Sequence, residues 1–287
     1  MESLYNITDQ LFVSLQQARE HPQGVSGLST GFEALNKLTT GWQKGELIVI
    51  AAPPRMGKRA FALSVLNNTM FDGSLCAFWF STNLSTNQLT NMLLCNNLNI
   101  DLHSLLSGDV NTTKLKDIVE NIRFSGVSFD DSPYLTINDI ETKLSELDEV
   151  CEDAIVIIDN VNQLNYLESD RLDLADKFYR LKTLARKFEI PIIAIQETEK
   201  QQNNVSKHFS DCLSLSDYDA MSKSVDVRIL LYRPEYYKIT EFSDKSSTLG
   251  LAELIYSSRI GNGCVRLKYN PTTFKFSETN VTLNHCE

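Results

Sequence analysis

The sequence predicts an α/β fold: a mostly parallel central sheet flanked by helices and preceded by an N-terminal helical arm. Three observations carry that expectation. Continuous apolar runs at Leu47–Ala51, Leu75–Ser81, Ala154–Asp159 and Ile190–Ile195 read as strands covered on both faces. Segments of helical period lie between them, Leu172–Phe188 being the most regular, and strands alternating with helices make a doubly wound parallel sheet. From Ile48 to Leu63 a buried-type strand, a two-proline loop, Gly57-Lys58 and a helix follow one another without interruption.

Taken in order from the N-terminus, residues 2–20 have the pattern of an amphipathic helix, with Leu4, Ile7, Leu11, Phe12 and Leu15 at helical spacing. His21-Pro22-Gln23-Gly24 breaks it. We therefore expect an N-terminal helix over 1–24 and one domain over 25–287. The helix either packs on its own domain or lies on a neighbouring subunit. A short helix between glycine turns, within 27–45, leads into the Leu47 strand. Ser85–Leu94 reads as a helix opened by a serine cap. Residues 101–150 read as helical with polar interruptions, with Tyr134–Ile137 as a short strand among them. Val225–Tyr232 and Leu251–Tyr256 are further strands, and Val265–Tyr269 with Thr273–Phe276 make a closing antiparallel pair. Gln196–Tyr218 is polar and poor in structural signals.

Composition narrows the function. The 287 residues are 42% apolar, enough for one large domain with an appendage. A net charge of −10 argues against gripping duplex nucleic acid by overall basicity, though a local basic groove stays compatible with it. Six cysteines are scattered without a CxxC pair or a histidine at ligand spacing, so we expect neither a zinc site nor a disulfide framework. There is no apolar span of membrane length and no leader-type N-terminus, so the expected setting is a reducing cytoplasm.

The stretch around Gly57-Lys58 has the order of a phosphate-binding loop. Backbone N–H groups and the positive end of the helix dipole would face the phosphates, Gly57 permits close backbone approach, and Lys58 reaches the terminal phosphates. A strict Walker A motif ends Gly-Lys-Ser/Thr, because that hydroxyl holds Mg²⁺; here the position is Arg59, and the opening glycine is an alanine.

Further residues extend the pattern across the chain: Gly27-x-x-Thr30-Gly31-Phe32, Thr40-Gly41-Trp42, Leu47 through Leu63, Phe80-Ser81, Ile158-Asp159, Leu181–Ala185, Pro191–Ala194, Leu231–Tyr237, Ala252-Glu253 and Val265–Leu267. In this order they resemble the motor domain of bacterial DnaB-type replicative helicases. The resemblance implies a RecA-like P-loop fold over 25–287, ATP or ADP at subunit interfaces, and assembly into a ring through residues 1–20. It also implies single-stranded DNA in the ring centre, and no membrane. We expect no counterpart of that family's N-terminal primase-binding domain in this chain.

Carried over residue by residue, the resemblance places nucleotide contacts at Pro54, Arg55, Met56, Gly57, Lys58, Arg59 and Ala60, and at Asp159, Arg233 and Arg259. Asp159 is the one metal position, as the acid that would hold Mg²⁺ through water. Arg59 opposes that metal, since a guanidinium cannot coordinate a cation. It either pairs with phosphate oxygens in the metal's stead or points away. The family's general-base glutamate aligns with Asn83, which can orient a water but cannot accept its proton, a loss of roughly 10²–10⁴-fold. The family's sensor glutamine aligns with Glu197, a negative charge where the terminal phosphate is sensed. Tyr232 and Arg233 lie where the family passes the base, either stacking on it or packing at a strand end. The family's channel-loop segment offers only Lys200, Lys207 and His208 among acids, so DNA contact is expected to be weak.

We assign no catalytic residue. Three readings follow: a degenerate, non-hydrolysing nucleotide-binding or assembly module; an active ATP-dependent helicase with a displaced base at Glu197 or Asp130-Asp131; or a structural partner-binding protein with an empty loop.

Overall fold

The structure, a computed structural model, describes residues 25–70, 75–146, 153–164, 172–198, 220–221, 223–233, 250–258 and 261–279, with isolated positions 4, 8, 9, 12, 13, 16 and 19. One nine-stranded sheet organises them, in the order β3-β2-β4-β5-β1-β6-β7-β8-β9. Its strands are β1 (Leu47–Ala52), β2 (Leu75–Ser81), β3 (Gly126–Asp130), β4 (Asp153–Asp159), β5 (Ile192–Glu197), β6 (Val227–Tyr232), β7 (Gly250–Ser258), β8 (Asn262–Asn270) and β9 (Lys275–Glu278). From β3 to β6 every pairing is parallel; β7, β8 and β9 continue the sheet antiparallel.

The alternation of side chains along a strand divides the core. On β1, Ile48, Ile50 and Ala52 join one apolar cluster, and Leu47, Val49 and Ala51 join the other. The first cluster is roofed by α1 (Glu33–Thr39), α2 (Lys58–Thr69) and α3 (Thr86–Leu98). The second is roofed by α6 (Ile137–Ser145) and α7 (Leu174–Phe188). Between these groups lie α4 (Leu102–Ser107) and α5 (Thr112–Phe124), neither of which buries a residue. Because both faces of β1 are covered, all six of its residues are apolar, which is why the run is so legible.

Two local expectations are corrected. Tyr134–Ile137 is not a strand: Tyr134 sits in a turn at φ +62°, and Ile137 opens α6. The reciprocal cap between Thr136 and Asp139 sets the helix start there and outweighs the β-propensity of the run. The true strand of that region is β3, inside the stretch read as helical. It is a short, half-exposed edge strand paired to β2 alone, so its sequence lacks a buried run. Cysteines depart from expectation too. Cys95 is a free, buried thiol, whereas Cys76 and Cys264 are each disulfide-bonded. Linear spacing says little about such pairing, which depends on proximity in the fold.

At the described positions of the N-terminal segment the backbone is helical and the side chains are exposed, Leu4, Phe12 and Val13 among them. The loop segment 199–219, with Lys200, Lys207 and His208, lies outside the described residues, as do Arg259 and 234–249.

Candidate nucleotide site

The loop between β1 and α2 is shaped by one buried anchor and two left-handed residues. Met56 is fully buried in the first cluster, while Pro54 and Arg55 remain exposed. Arg55 takes φ +67° and Gly57 φ +95°. Gly57 is needed twice over. Its φ is costly for a side chain, and a Cβ there would stand 3.2 Å from Phe276 and 3.3 Å from Tyr269. Those rings are stacked, with centroids 4.5 Å apart, and Phe276 also meets Phe61 edge-on. Ser64 on α2 accepts from the Phe276 N–H and from Asn96, whose amide also donates to the Phe274 carbonyl. The β8–β9 hairpin is thereby tied to the loop helix.

The cavity over the loop measures about 470 Å³. Its polar wall holds Arg55, Lys58, Arg59, Asp159, Glu197 and Arg233; its apolar wall is Met92, Tyr269, Pro271 and Phe274. Thus three loop positions named from sequence, together with Asp159, Glu197 and Arg233, converge on one space. Gly57 and Ala60 border it too, but Pro54 and Met56 do not.

Lys58 is buried and uses its ammonium inward. It donates to the carbonyls of Ala52 (2.8 Å) and Pro53 (2.9 Å) and stands 3.5 Å from a Glu197 carboxylate oxygen. Burial lowers its pKa from 10.5 to about 8, with Glu197 acting in the opposite direction. Glu197 ends β5 with its side chain about half exposed. Its backbone N–H donates to Asn162, whose amide donates back to the Glu197 carbonyl. Lys177 of α7 fixes the same turn by donating to the carbonyls of Val161 and Asn162. The ends of β4 and β5 are therefore braced against each other.

Arg59 does not point away. Its Nε donates to Asp159 Oδ2, and Asp159 is fully buried. Burial pushes the Asp159 carboxyl above the usual carboxylate range, with Arg59 and then Lys58 pulling it back. Asp159 Oδ1 is buried with no hydrogen-bond donor. This donor set does not suit Mg²⁺. The loop hydroxyl is absent, Asp159 has a guanidinium on one oxygen and protein around the other, and the second carboxylate, Glu197, faces Lys58. We derive no step through a metal.

Arg233 follows β6, donates to the Arg55 carbonyl (3.1 Å) and lies over the Tyr269 ring at 4.5 Å. Of the two residues placed near the base position, Tyr232 is buried strand-end packing and Arg233 lines the cavity. Asn83 lies in the exposed turn after β2, off the cavity wall. Its neighbour Thr82 makes the contact with β4, donating its N–H to the Asp159 carbonyl at 2.7 Å. Asp130 and Asp131 are remote from the loop. Asp130 pairs with Lys143, Asp131 caps Thr86, and both line a separate cavity of about 280 Å³.

Sequence reasoning missed the apolar wall. Tyr269 shares a strand face with Val265 and Leu267, and nothing in that alternation distinguishes a cavity wall from core.

The comparisons with known proteins agree with this geometry. The chain is similar to a probable replicative DNA helicase of Trieres chinensis, 29% identical over 96% of this chain and 62% of that protein. It is 26% identical to the replicative DNA helicase DnaB of Geobacillus stearothermophilus, over 82% of this chain and 54% of that one. It thus spans about half to three-fifths of the length of these relatives. Among solved structures, an ATPase domain solved by itself superposes with a TM-score of 0.81 at 20% identity, over 96% of this chain and 99% of that one. A DnaB-like replicative helicase, solved in a study of its interactions with primase, superposes at 0.80 and 20% identity, over 97% and 68%. Both show the same RecA-like fold. The model of the DnaB-like helicase C-terminal domain matches residues 27–278, and with loop, sheet order and relatives in accord, the chain belongs to that family.

Proposed function

We propose that this chain is a degenerate member of its family that binds ATP or ADP without Mg²⁺ and does not hydrolyse it. It would act as a nucleotide-binding, assembly or regulatory module in DNA replication. The observation that carries this reading is the pairing of Arg59 with Asp159. A fixed guanidinium stands beside the acid that would otherwise hold the metal, and it presents donors suited to phosphate oxygens. Asn83 in place of the base and Glu197 against Lys58 point the same way. Residues 1–20 would supply self-association or entry into a helicase ring, with single-stranded DNA a weak ligand. Among the described residues no helix is long and apolar enough to cross a membrane.

The test is equilibrium binding of ATP and ADP, with and without Mg²⁺, to wild type and Lys58→Ala. Metal-independent binding that is lost in the variant, with no phosphate release, supports the proposal. Metal-dependent binding overturns it and revives an ATP-driven motor. For that second reading Glu197 is, among the described residues, the acid on the cavity wall free enough to serve as a displaced base, yet its carboxylate faces Lys58. Absence of any binding would leave a partner-binding protein with an empty loop.

A further inference from the structure

Resting on the metal-free nucleotide reading above, we infer that the site selects a nucleoside diphosphate over the corresponding triphosphate, and that Glu197 makes the selection.

In a loop of this kind the backbone N–H groups cradle the α- and β-phosphates and the lysine reaches the β- and γ-phosphates. Here that ammonium is already engaged. Lys58 has three donors; two are on the Ala52 and Pro53 carbonyls, and Glu197 lies 3.5 Å away on the side facing the cavity. A phosphate oxygen bound to Lys58 at about 2.8 Å would lie within about 6 Å of the Glu197 carboxylate, since that oxygen is itself 3.5 Å from the same nitrogen. Like charges at that separation, in a partly enclosed site, cost about tenfold or more in affinity for each added charge. The lysine spans the second and third phosphates, so a diphosphate brings one charged phosphate near Glu197 and a triphosphate brings two.

The neighbouring acid adds to it. Asp159 is fully buried, its Oδ1 without a donor and its Oδ2 on Arg59, so the guanidinium is only partly available to an incoming anion. Among the described residues, four cations (Arg55, Lys58, Arg59 and Arg233) face these two acids across the cavity wall. The balance is positive enough to attract a phosphorylated ligand. It neutralises neither ligand fully without a metal, and a triphosphate, with about one charge more than a diphosphate, is left the less compensated of the two. Glu197 is half exposed and held at its backbone by Asn162, so its side chain can turn while its charge stays at the cavity mouth.

The experiment measures dissociation constants of ADP, ATP, pyrophosphate and tripolyphosphate in EDTA, for wild type and Glu197→Gln. We expect ADP to bind wild type at least tenfold tighter than ATP, and pyrophosphate tighter than tripolyphosphate. Glu197→Gln should bring each pair to within about threefold, mainly by strengthening the longer ligand. ATP binding wild type as tightly as ADP, or a ratio unchanged in Glu197→Gln, overturns the selection while leaving metal-free binding in place. Failure of all four ligands to bind wild type would overturn both. The inorganic pair gives the wild-type answer even if the variant does not fold.

Discussion

Arg59 and Lys58 stand side by side and meet opposite fates, and both can be tested by substitution. Arg59→Thr returns a hydroxyl to the loop and releases Asp159 Oδ2. Nucleotide binding by this variant should become dependent on Mg²⁺, at least tenfold tighter with the ion than in EDTA, whereas wild type should show no difference. Lys58 is a buried cation whose pKa falls from 10.5 to about 8. Below pH 8 both folded and unfolded chains hold the proton, and the fold bears the full cost of burying it. Between about 8 and 10.5 only the unfolded chain holds it, so stability contributed at this site rises with pH. Lys58→Met should therefore be more stable than wild type at pH 7, by about 1–3 kcal/mol. That advantage should shrink by pH 9.5 in paired urea denaturations.

At the scale of elements, the loop and the β8–β9 hairpin form one unit. Gly57→Ala places a methyl group against Phe276 and Tyr269 at a backbone angle that disfavours it. We expect a loss of about 1–3 kcal/mol in chemical denaturation, together with a weakening of nucleotide binding beyond tenfold. A variant that keeps wild-type stability would contradict the packing described. Helix α6 is set by its cap. Thr136→Ala removes the two hydroxyl bonds with Asp139, leaving the Thr136 N–H on the Asp139 carboxylate, and should cost about 1 kcal/mol in the same assay without changing nucleotide affinity. Local chemistry of this sort was readable for α3, where Ser85 and Gln88 form the same box. It was overlooked for α6, where the apolar character of Tyr134–Ile137 suggested a strand.

For the whole molecule, the parallel part of the sheet gathers the site and the antiparallel part closes it. The strands that end in Asp159 and Glu197 flank each other beside β1, so the loop and both acids meet at one edge. Beyond the domain, exposed Leu4, Phe12 and Val13 on the N-terminal segment offer apolar surface that assembly would cover. Deleting residues 1–20 should reduce the oligomer mass measured by light scattering; an unchanged mass would remove these residues from assembly. By itself the sequence determined the parallel sheet, the strand–loop–helix around Gly57-Lys58 and the arginine that follows it. These depend on runs of buried strands and on neighbours in the chain, which composition and spacing record directly. Only the tertiary structure decided that Arg59 turns onto Asp159, 100 positions away, that Glu197 reaches Lys58, and that Tyr269 and Phe274 wall the cavity. Such contacts follow from which strands lie side by side, and strand order is a property of the whole packed sheet rather than of any local pattern.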